Sequence, residues 1–249
     1  MNILSDFSST QIFLIVLIFI WSGFVRSGLG FGGAALGLPF MLLVFNQPIF
    51  WLPIIGSHLL FFSALTLRTR FRDVCWPYLL RSMIIIVPSA IAGVFGLISL
   101  PNQVMVVFIY SVTLFYAVMW LFNIVIHSSN HWVDRFLLAT GGYIAGTSLT
   151  GAPLIVAVFM RNMASHHLRN TLLVLWFVLV SIKMATFAVF SVDLHLDIAL
   201  MLVPVAAIGH VFGLKAHDKI VEKDKLFKHL LGGVLVFVSV LGLWKFLSA

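Results

Sequence analysis

The chain has 249 residues, of which 61% are hydrophobic and 9% charged, with a formal net charge of +7. Soluble globular domains are roughly 45–50% apolar and about 25% charged, so too little polar surface is present for a soluble fold. Several apolar stretches reach the ~20 residues of a membrane helix and the short alternating strands of a β-barrel are absent, which together predict an all-α polytopic membrane protein.

In a soluble protein such a positive balance would suggest nucleic-acid binding. Here Lys and Arg lie mainly in short loops between apolar spans, which is the pattern of cytoplasmic retention, and no nucleic-acid partner is expected. The single cysteine, Cys75, excludes an intramolecular disulfide and argues against a cysteine metal cluster. No cofactor and no metal is called for. The first 20 residues carry an apolar run without a basic n-region or a small-residue cleavage site, so they read as a retained membrane segment.

Residues 1–8 are a short polar start, and the chain is then almost continuously apolar from Ser9 to Phe45. That is too long for one ordinary span, and the glycines from Gly23 to Gly37 with Pro39 break it. After the turn Asn46–Gln47–Pro48 comes a predicted spanning helix, Ile49–Leu67, carrying Ser57, His58 and Ser63. The cluster Arg68–Asp73 follows, with Trp76 and Tyr78 beside it as interface residues. Tyr78–Ser99 is the next span, with a kink expected at Pro88 and close packing at Gly93 and Gly96. Leu100–Gln103 is an uncharged turn, Val104–Ile126 spans back, and His127–Arg135 closes the half.

The order then repeats. Phe136–Met160 is again a glycine-broken apolar segment, Arg161–Asn170 reads as a polar loop, and Thr171–Phe190 spans. Asp193–Asp197 is an acidic turn, Ile198–Lys215 spans, Lys215–Lys228 holds five lysines, and His229–Leu247 is the last span. Adding 114 to Gly28, Gly32, Gly37 and Pro39 gives Gly142, Gly146, Gly151 and Pro153, so Ser22–Asn46 and Phe136–Met160 read as duplicates. Val94–Leu97 recurs as Val211–Leu214, and Pro88 answers to Pro204. The expected organisation is a first repeat over residues 1–130, with an extra N-terminal arm at Ser9–Trp21, and a second over residues 131–249. The two form one transmembrane domain.

Charge sets the orientation. The arginines of 68–72 and the lysines of 215–228 belong inside, and the turns at 100–103 and 191–197, without Lys or Arg, belong outside. Phe136–Met160 then starts and ends at the cytoplasmic face, and its counterpart starts and ends outside, which makes the repeats inverted. Twenty-five helical residues rise ~37 Å, so each broken segment is long enough for one tilted crossing, and a parallel repeat of plain spans is the competing geometry. Read as hairpins, the two segments bring their Gly–Pro breaks together on one small anion.

A glycine-rich break frees backbone groups that lipid cannot satisfy, and N–H groups at a helix start favour an anion. Candidate substrate-binding residues are therefore Gly28, Gly32, Gly37 and Pro39 at the first break and Gly146, Gly151 and Pro153 at the second, with the hydroxyls of Ser148 and Thr150. The bland alternative is that the glycines only let helices pack closely. Arg26 and Lys183 are cations within apolar stretches and no acidic residue sits deep in any span, which suits a negative cargo. Snorkelling to an interface is the alternative for each, and Arg81 is read that way. His58 and His210 are candidates for proton relay or for structural histidines.

The run Gly30–Phe31–Gly32–Gly33 leading to Pro39, and the run Gly146–Pro153, duplicated over about 250 residues, resemble the sulfite exporter TauE/SafE family. Leu168–Leu172, which includes Asn170 and Thr171, resembles that family's segment after the second break, and Gly56–Ser57 fills the corresponding place after the first. Asp73 and Trp76 resemble the start of its third helix, and Ala152 stands where many members carry Gly or Pro. The resemblance implies a secondary transporter exporting sulfite or an organosulfonate across a bacterial inner membrane, with Ser57, His58, Asn170 and Thr171 near the substrate. An anion channel is the alternative, and an intramembrane hydrolase using Ser148 and His210 is a weaker one, because Leu149 breaks the nucleophile-elbow pattern. Beyond the small anion and the lipid bilayer no partner is specified, and the oligomeric state is left open, a homodimer included.

Overall fold

The computed structural model describes residues 7–29, 33–68, 73–124, 126, 130–222 and 224–248. Among them lie ten α-helices and no strand: α1 Ser9–Leu29, α2 Gly33–Val44, α3 Pro48–Leu67, α4 Trp76–Ser99, α5 Asn102–Leu121, α6 His131–Ser148, α7 Ala152–Asn162, α8 Ser165–Val189, α9 Leu196–Glu222 and α10 Asp224–Leu247. Seven of these, α1, α3, α4, α5, α8, α9 and α10, are long and apolar enough to cross a membrane, while α2 and α7 are short apolar helices. The chain is an all-helical, multi-pass membrane protein. Large apolar side chains such as Ile84, Leu200 and Phe237 stay exposed, as a lipid-facing surface requires.

Several boundaries differ from the sequence reading. Ser9–Trp21 is not a separate arm: it runs without a break into Leu29 as one helix. Gly37 and Pro39 lie inside the continuous helix α2 rather than at a break. Helix α6 starts at His131, before the expected Phe136, because the Asn130 side chain accepts from the backbone N–H groups of Trp132 and Val133 at 3.0 and 2.9 Å. The expected polar loop at 161–170 shrinks to two residues between α7 and α8, so Asn170 and Thr171 are helical, and most of the lysine-rich stretch extends α9. Gly30, Phe31, Gly32 and Arg70–Arg72 lie outside the described residues.

The helices group into two compact units, each drawing on both halves of the chain. The first comprises Met1–Trp51, Pro101–Ile124 and His195–Ala249. In it α1 and α2 fold back on each other: Gln11 near the start of α1 donates to the Val44 carbonyl at the end of α2 at 3.2 Å, and Trp21 Nε1 donates to the Leu36 carbonyl. Its core gathers Val25, Leu36, Ala117, Leu231 and Leu235 under Trp21, Phe24 and Trp120. Helix α1 also lies directly on α9. A Cβ on Gly23 would stand 2.2 Å from the Ala206 carbonyl oxygen, and one on Gly209 would stand 1.8 Å from that of Ile20. Only glycine permits backbones that close.

The second unit comprises Leu52–Leu100 and Val125–Leu194. Here α6 and α7 fold back, with Arg161 Nη1 donating to both oxygens of Asp134 at 3.3 Å across the open end of the hairpin. This is the hairpin geometry for Phe136–Met160, not a plain tilted span. Helix α6 lies on α4: a Cβ on Gly146 would meet the Ala90 carbonyl oxygen at 2.0 Å, and one on Gly93 would meet that of Tyr143 at 2.2 Å.

Candidate functional site

The second unit holds the break that the structure describes in full. Helix α6 ends at Ser148, Leu149 takes a left-handed conformation (φ 60°, ψ 16°) with its N–H on the Ala145 carbonyl, and α7 starts at Ala152 with Pro153 in its first turn. The turn is held by close packing. A Cβ on Gly151 would fall 1.9 Å from the Gly141 carbonyl oxygen, so the loop presses onto α6 where no side chain fits. Pro153 has no N–H and its φ already suits a helix start.

Three hydroxyls line this turn, all at most 1% exposed: Thr147, Ser148 and Thr150. Ser148 donates to the Ile144 carbonyl at 3.1 Å, so in the 2.5 Å bond between Ser148 and Thr150 the Thr150 hydroxyl is the donor. Thr147 bonds back to Tyr143 and Ile144. Each hydroxyl hydrogen is therefore engaged inside the turn.

Lys183 reaches the same place from α8. It is 1% exposed, its Nζ donates to the Thr147 carbonyl at 3.1 Å, and it stands 5.9 Å from the Phe187 ring centroid. That carbonyl lies in the last turn of α6, at the negative end of the helix dipole, where a cation is favoured. Lys183 is thus not snorkelling to an interface. An ammonium has three donors, and Thr147 takes one of them.

The other predicted residues of this unit fall into two groups. Gly56 abuts Met184, the neighbour of Lys183, with a would-be Cβ 2.8 Å from the sulfur, which brings the stretch holding Ser57 and His58 against α8. Ser57 Oγ is shielded from solvent and has no hydrogen-bond partner among the described residues, while His58 is buried beside Phe62. Asn170 and Thr171, by contrast, tie α8 to the start of α4: Thr171 Oγ1 accepts the Cys75 N–H at 3.0 Å and donates to the His167 carbonyl, and Asn170 donates to Asp73 Oδ2 at 3.4 Å. His167 Nδ1 adds a bond to the Asp73 carbonyl at 2.7 Å. Gly146 belongs to the α4·α6 seam rather than to the opening of the turn.

The first unit holds Arg26, Gly28, Gly37 and Pro39. Arg26 lies in the last turn of α1 with Nε and Nη2 shielded from solvent. The Gly28 carbonyl accepts from His217 Nδ1 at 2.7 Å, a would-be Cβ on Gly37 would touch Ser22 at 3.3 Å, and the Pro39 carbonyl accepts from the Tyr110 hydroxyl at 3.2 Å. Gly32 is outside the described residues. Sequence reasoning missed Ser27, whose hydroxyl makes a short hydrogen bond to His210 Nδ1. A small polar residue beside a helical glycine gave no signal on its own.

The family model described as Sulfite exporter TauE/SafE matches residues 15–241. The chain belongs to the sulfite exporter TauE/SafE family. No curated protein and no solved structure matches. Members of the TauE/SafE family are membrane transporters and not enzymes, and in this member Ser148 and His210 each find a partner within their own unit, on Thr150 and Ser27. Among the described residues no three His, Cys, Asp or Glu side chains gather as metal ligands.

Proposed function

We propose that this TauE/SafE member exports a small anion, sulfite or an organosulfonate, across the bacterial inner membrane by alternating access. The observation that carries the reading is Lys183: a buried ammonium on a membrane helix, held by one carbonyl at a helix break, with donors left for an incoming oxyanion. A charge this far from water is costly unless something compensates it, and an anion supplies what the single carbonyl does not. The N–H groups of Ala152 and Leu154 at the start of α7 add donors that no intrahelical acceptor satisfies.

The inverted repeat of residues 1–130 and 131–249 belongs to the same reading. Gly23 lies on Ala206 as Gly146 lies on Ala90, and Gly209 lies on Ile20 and Phe24 as Gly93 lies on Tyr143 and Thr147. A shift of 123 carries Ile20, Gly23 and Phe24 of α1 onto Tyr143, Gly146 and Thr147 of α6. A shift of 116 carries Pro88, Ala90 and Gly93 of α4 onto Pro204, Ala206 and Gly209 of α9. Among the described residues the open end of the α1–α2 hairpin carries the uncharged contact of Gln11 with Val44, and that of α6–α7 carries Arg135 and Arg161. That difference favours opposite faces of the membrane.

The test is counterflow of a radiolabelled sulfonate and of sulfite into liposomes containing the purified protein. Trans-stimulated uptake that is lost in Lys183→Ala is the expected outcome. Ohmic anion current without trans-stimulation would instead make the protein a channel.

A further inference from the structure

Helix α8 carries a second inward donor besides Lys183. Trp176 lies midway along this helix, between Ser165 and Val189, and not near its ends, where membrane tryptophans meet water and headgroups. Its ring is partly buried, and its Nε1 is shielded from solvent with no hydrogen-bond partner among the described residues. An indole nitrogen only donates, and a donor left unsatisfied at that depth costs free energy. Within the second unit the other described side-chain atom in this condition is Ser57 Oγ. Its helix meets α8 one to two turns beyond Trp176: a would-be Cβ on Gly56 stands 3.4 Å from Val180 Cγ1 and 2.8 Å from Met184 Sδ.

Leu172, Trp176, Leu179, Lys183 and Phe187 follow one another at three- and four-residue steps, which puts them on one stripe of the helix. Leu172, Leu179, Lys183 and Phe187 are each at most 4% exposed, so the stripe faces the protein. Between its two donors it presents the apolar side chain of Leu179. Trp176 and Lys183 are two turns apart and leave the helix about 10.5 Å from each other along its axis. Hydrogen bonds of about 2.9 Å at either end leave about 5 Å for a molecule held between them. The stripe thus reads donor, apolar surface, cationic donor, and its complement is acceptor, carbon chain, oxyanion.

We propose that Trp176 is a specificity-determining residue of the Lys183 site, its indole N–H donating to an acceptor at the far end of an organosulfonate whose sulfonate sits on Lys183. The carbon chain lies along Leu179. The proposal rests on the anion-site reading of Lys183 and narrows the cargo within it. A sulfonate whose three-carbon chain ends in an oxygen satisfies both donors. Sulfite and methanesulfonate are too short to reach beyond Lys183. An alkyl sulfonate of matching length reaches Trp176 but leaves its N–H without an acceptor, and a site built around a hydrogen bond discriminates against an analogue that cannot make it.

The experiment follows counterflow of radiolabelled methanesulfonate in liposomes containing the full chain. Its competitors are 3-hydroxypropane-1-sulfonate and butane-1-sulfonate, which match in charge and length and differ in the terminal oxygen. The parent is expected to be inhibited by the hydroxyl compound at about ten-fold lower concentration, the worth of one hydrogen bond to a buried donor. Trp176→Phe keeps an aromatic ring without the N–H; it is expected to bring the two inhibitory concentrations together while methanesulfonate counterflow stays within about two-fold of the parent. Equal inhibition of the parent by the two compounds, or a preference that survives in Trp176→Phe, overturns the assignment. Loss of methanesulfonate counterflow in Trp176→Phe also overturns it, since the residue would then support the fold and not the selection. Absence of counterflow in the parent overturns the transporter reading itself, and counterflow that persists in Lys183→Ala overturns the seat of the sulfonate.

Discussion

At the α1·α9 seam Gly23 lies over the carbonyl of Ala206, and at the α4·α6 seam Gly146 lies over that of Ala90, with would-be Cβ contacts of 2.2 and 2.0 Å. The two units bring backbones together by the same device, yet what each seam carries differs. In the second unit α6 stops just past the seam, and the break exposes a carbonyl that Lys183 takes. In the first, α1 continues to Leu29, and one turn past Gly23 the seam holds Ser27 bonded to His210 rather than a turn. Glycine contacts fix how closely helices approach, and the residues one turn further on decide the chemistry.

If the seams are equivalent supports, Gly146→Ala and Gly209→Ala should be equally damaging, because the atom met is backbone and cannot rotate away. Each is expected to cost about 3 kcal/mol, the upper end of overpacking, read as a lowered unfolding midpoint in detergent. Gly233→Ala, where the nearest atom is a Leu121 methyl at 4.0 Å, should stay within about 0.5 kcal/mol. Tolerance of Gly209→Ala beside failure of Gly146→Ala would show that only one seam bears the fold.

The difference between the units is probed by Lys183→Met, which keeps length and removes charge. Transport is expected to fall about 100-fold, or about 2.7 kcal/mol, while the unfolding midpoint holds or rises, since exchanging a buried charge for an apolar side chain is often neutral or stabilising. A lowered midpoint with unchanged transport per folded molecule would reduce Lys183 to a helix cap. A smaller effect is expected in the turn itself. Ser148→Ala and Thr150→Val each remove one member of a single hydroxyl relay, at about 1 kcal/mol. The double variant should cost little more than either, because the relay is lost once.

The sequence carried the spans well, because a run of ~20 apolar residues has few alternatives in a chain this poor in charge. It also carried the second break, where Gly151 and Pro153 fall within a loop and a first helical turn. It misplaced the equivalence of the two breaks. The 114-residue coincidence pairs Gly37 and Pro39, which sit inside α2, with Gly151 and Pro153, which start α7. Glycines that open a backbone and glycines that admit a neighbouring backbone look alike in one dimension, and only the carbonyl that each faces tells them apart. Asn170 and Thr171 show the same limit: their polarity was legible, but their partners, Asp73 and the Cys75 N–H, lie about a hundred residues earlier in the chain.

The smallest expected effects lie at the open ends of the hairpins, and they sharpen the comparison most economically. Both ends are tied by polar contacts, the first by a neutral amide on a carbonyl and the second by Arg161 and Asn162 on a carboxylate whose side chain is 10% exposed. Arg161 is 35% exposed, so solvent screens the ion pair and its worth is held to about 1 kcal/mol. Gln11→Leu removes the bond to the Val44 carbonyl together with the exposed bonds that Gln11 Oε1 accepts from the Ser8 N–H and hydroxyl, and should cost about 1 kcal/mol. Salt separates the two. Raising ionic strength from about 0.05 M to about 0.5 M shortens the screening length several-fold, so the cost of Asp134→Asn should shrink while that of Gln11→Leu stays fixed. Equal salt responses would mean that Arg161 acts on Asp134 only as a hydrogen-bond donor, and that the two hairpins are closed by the same kind of bond.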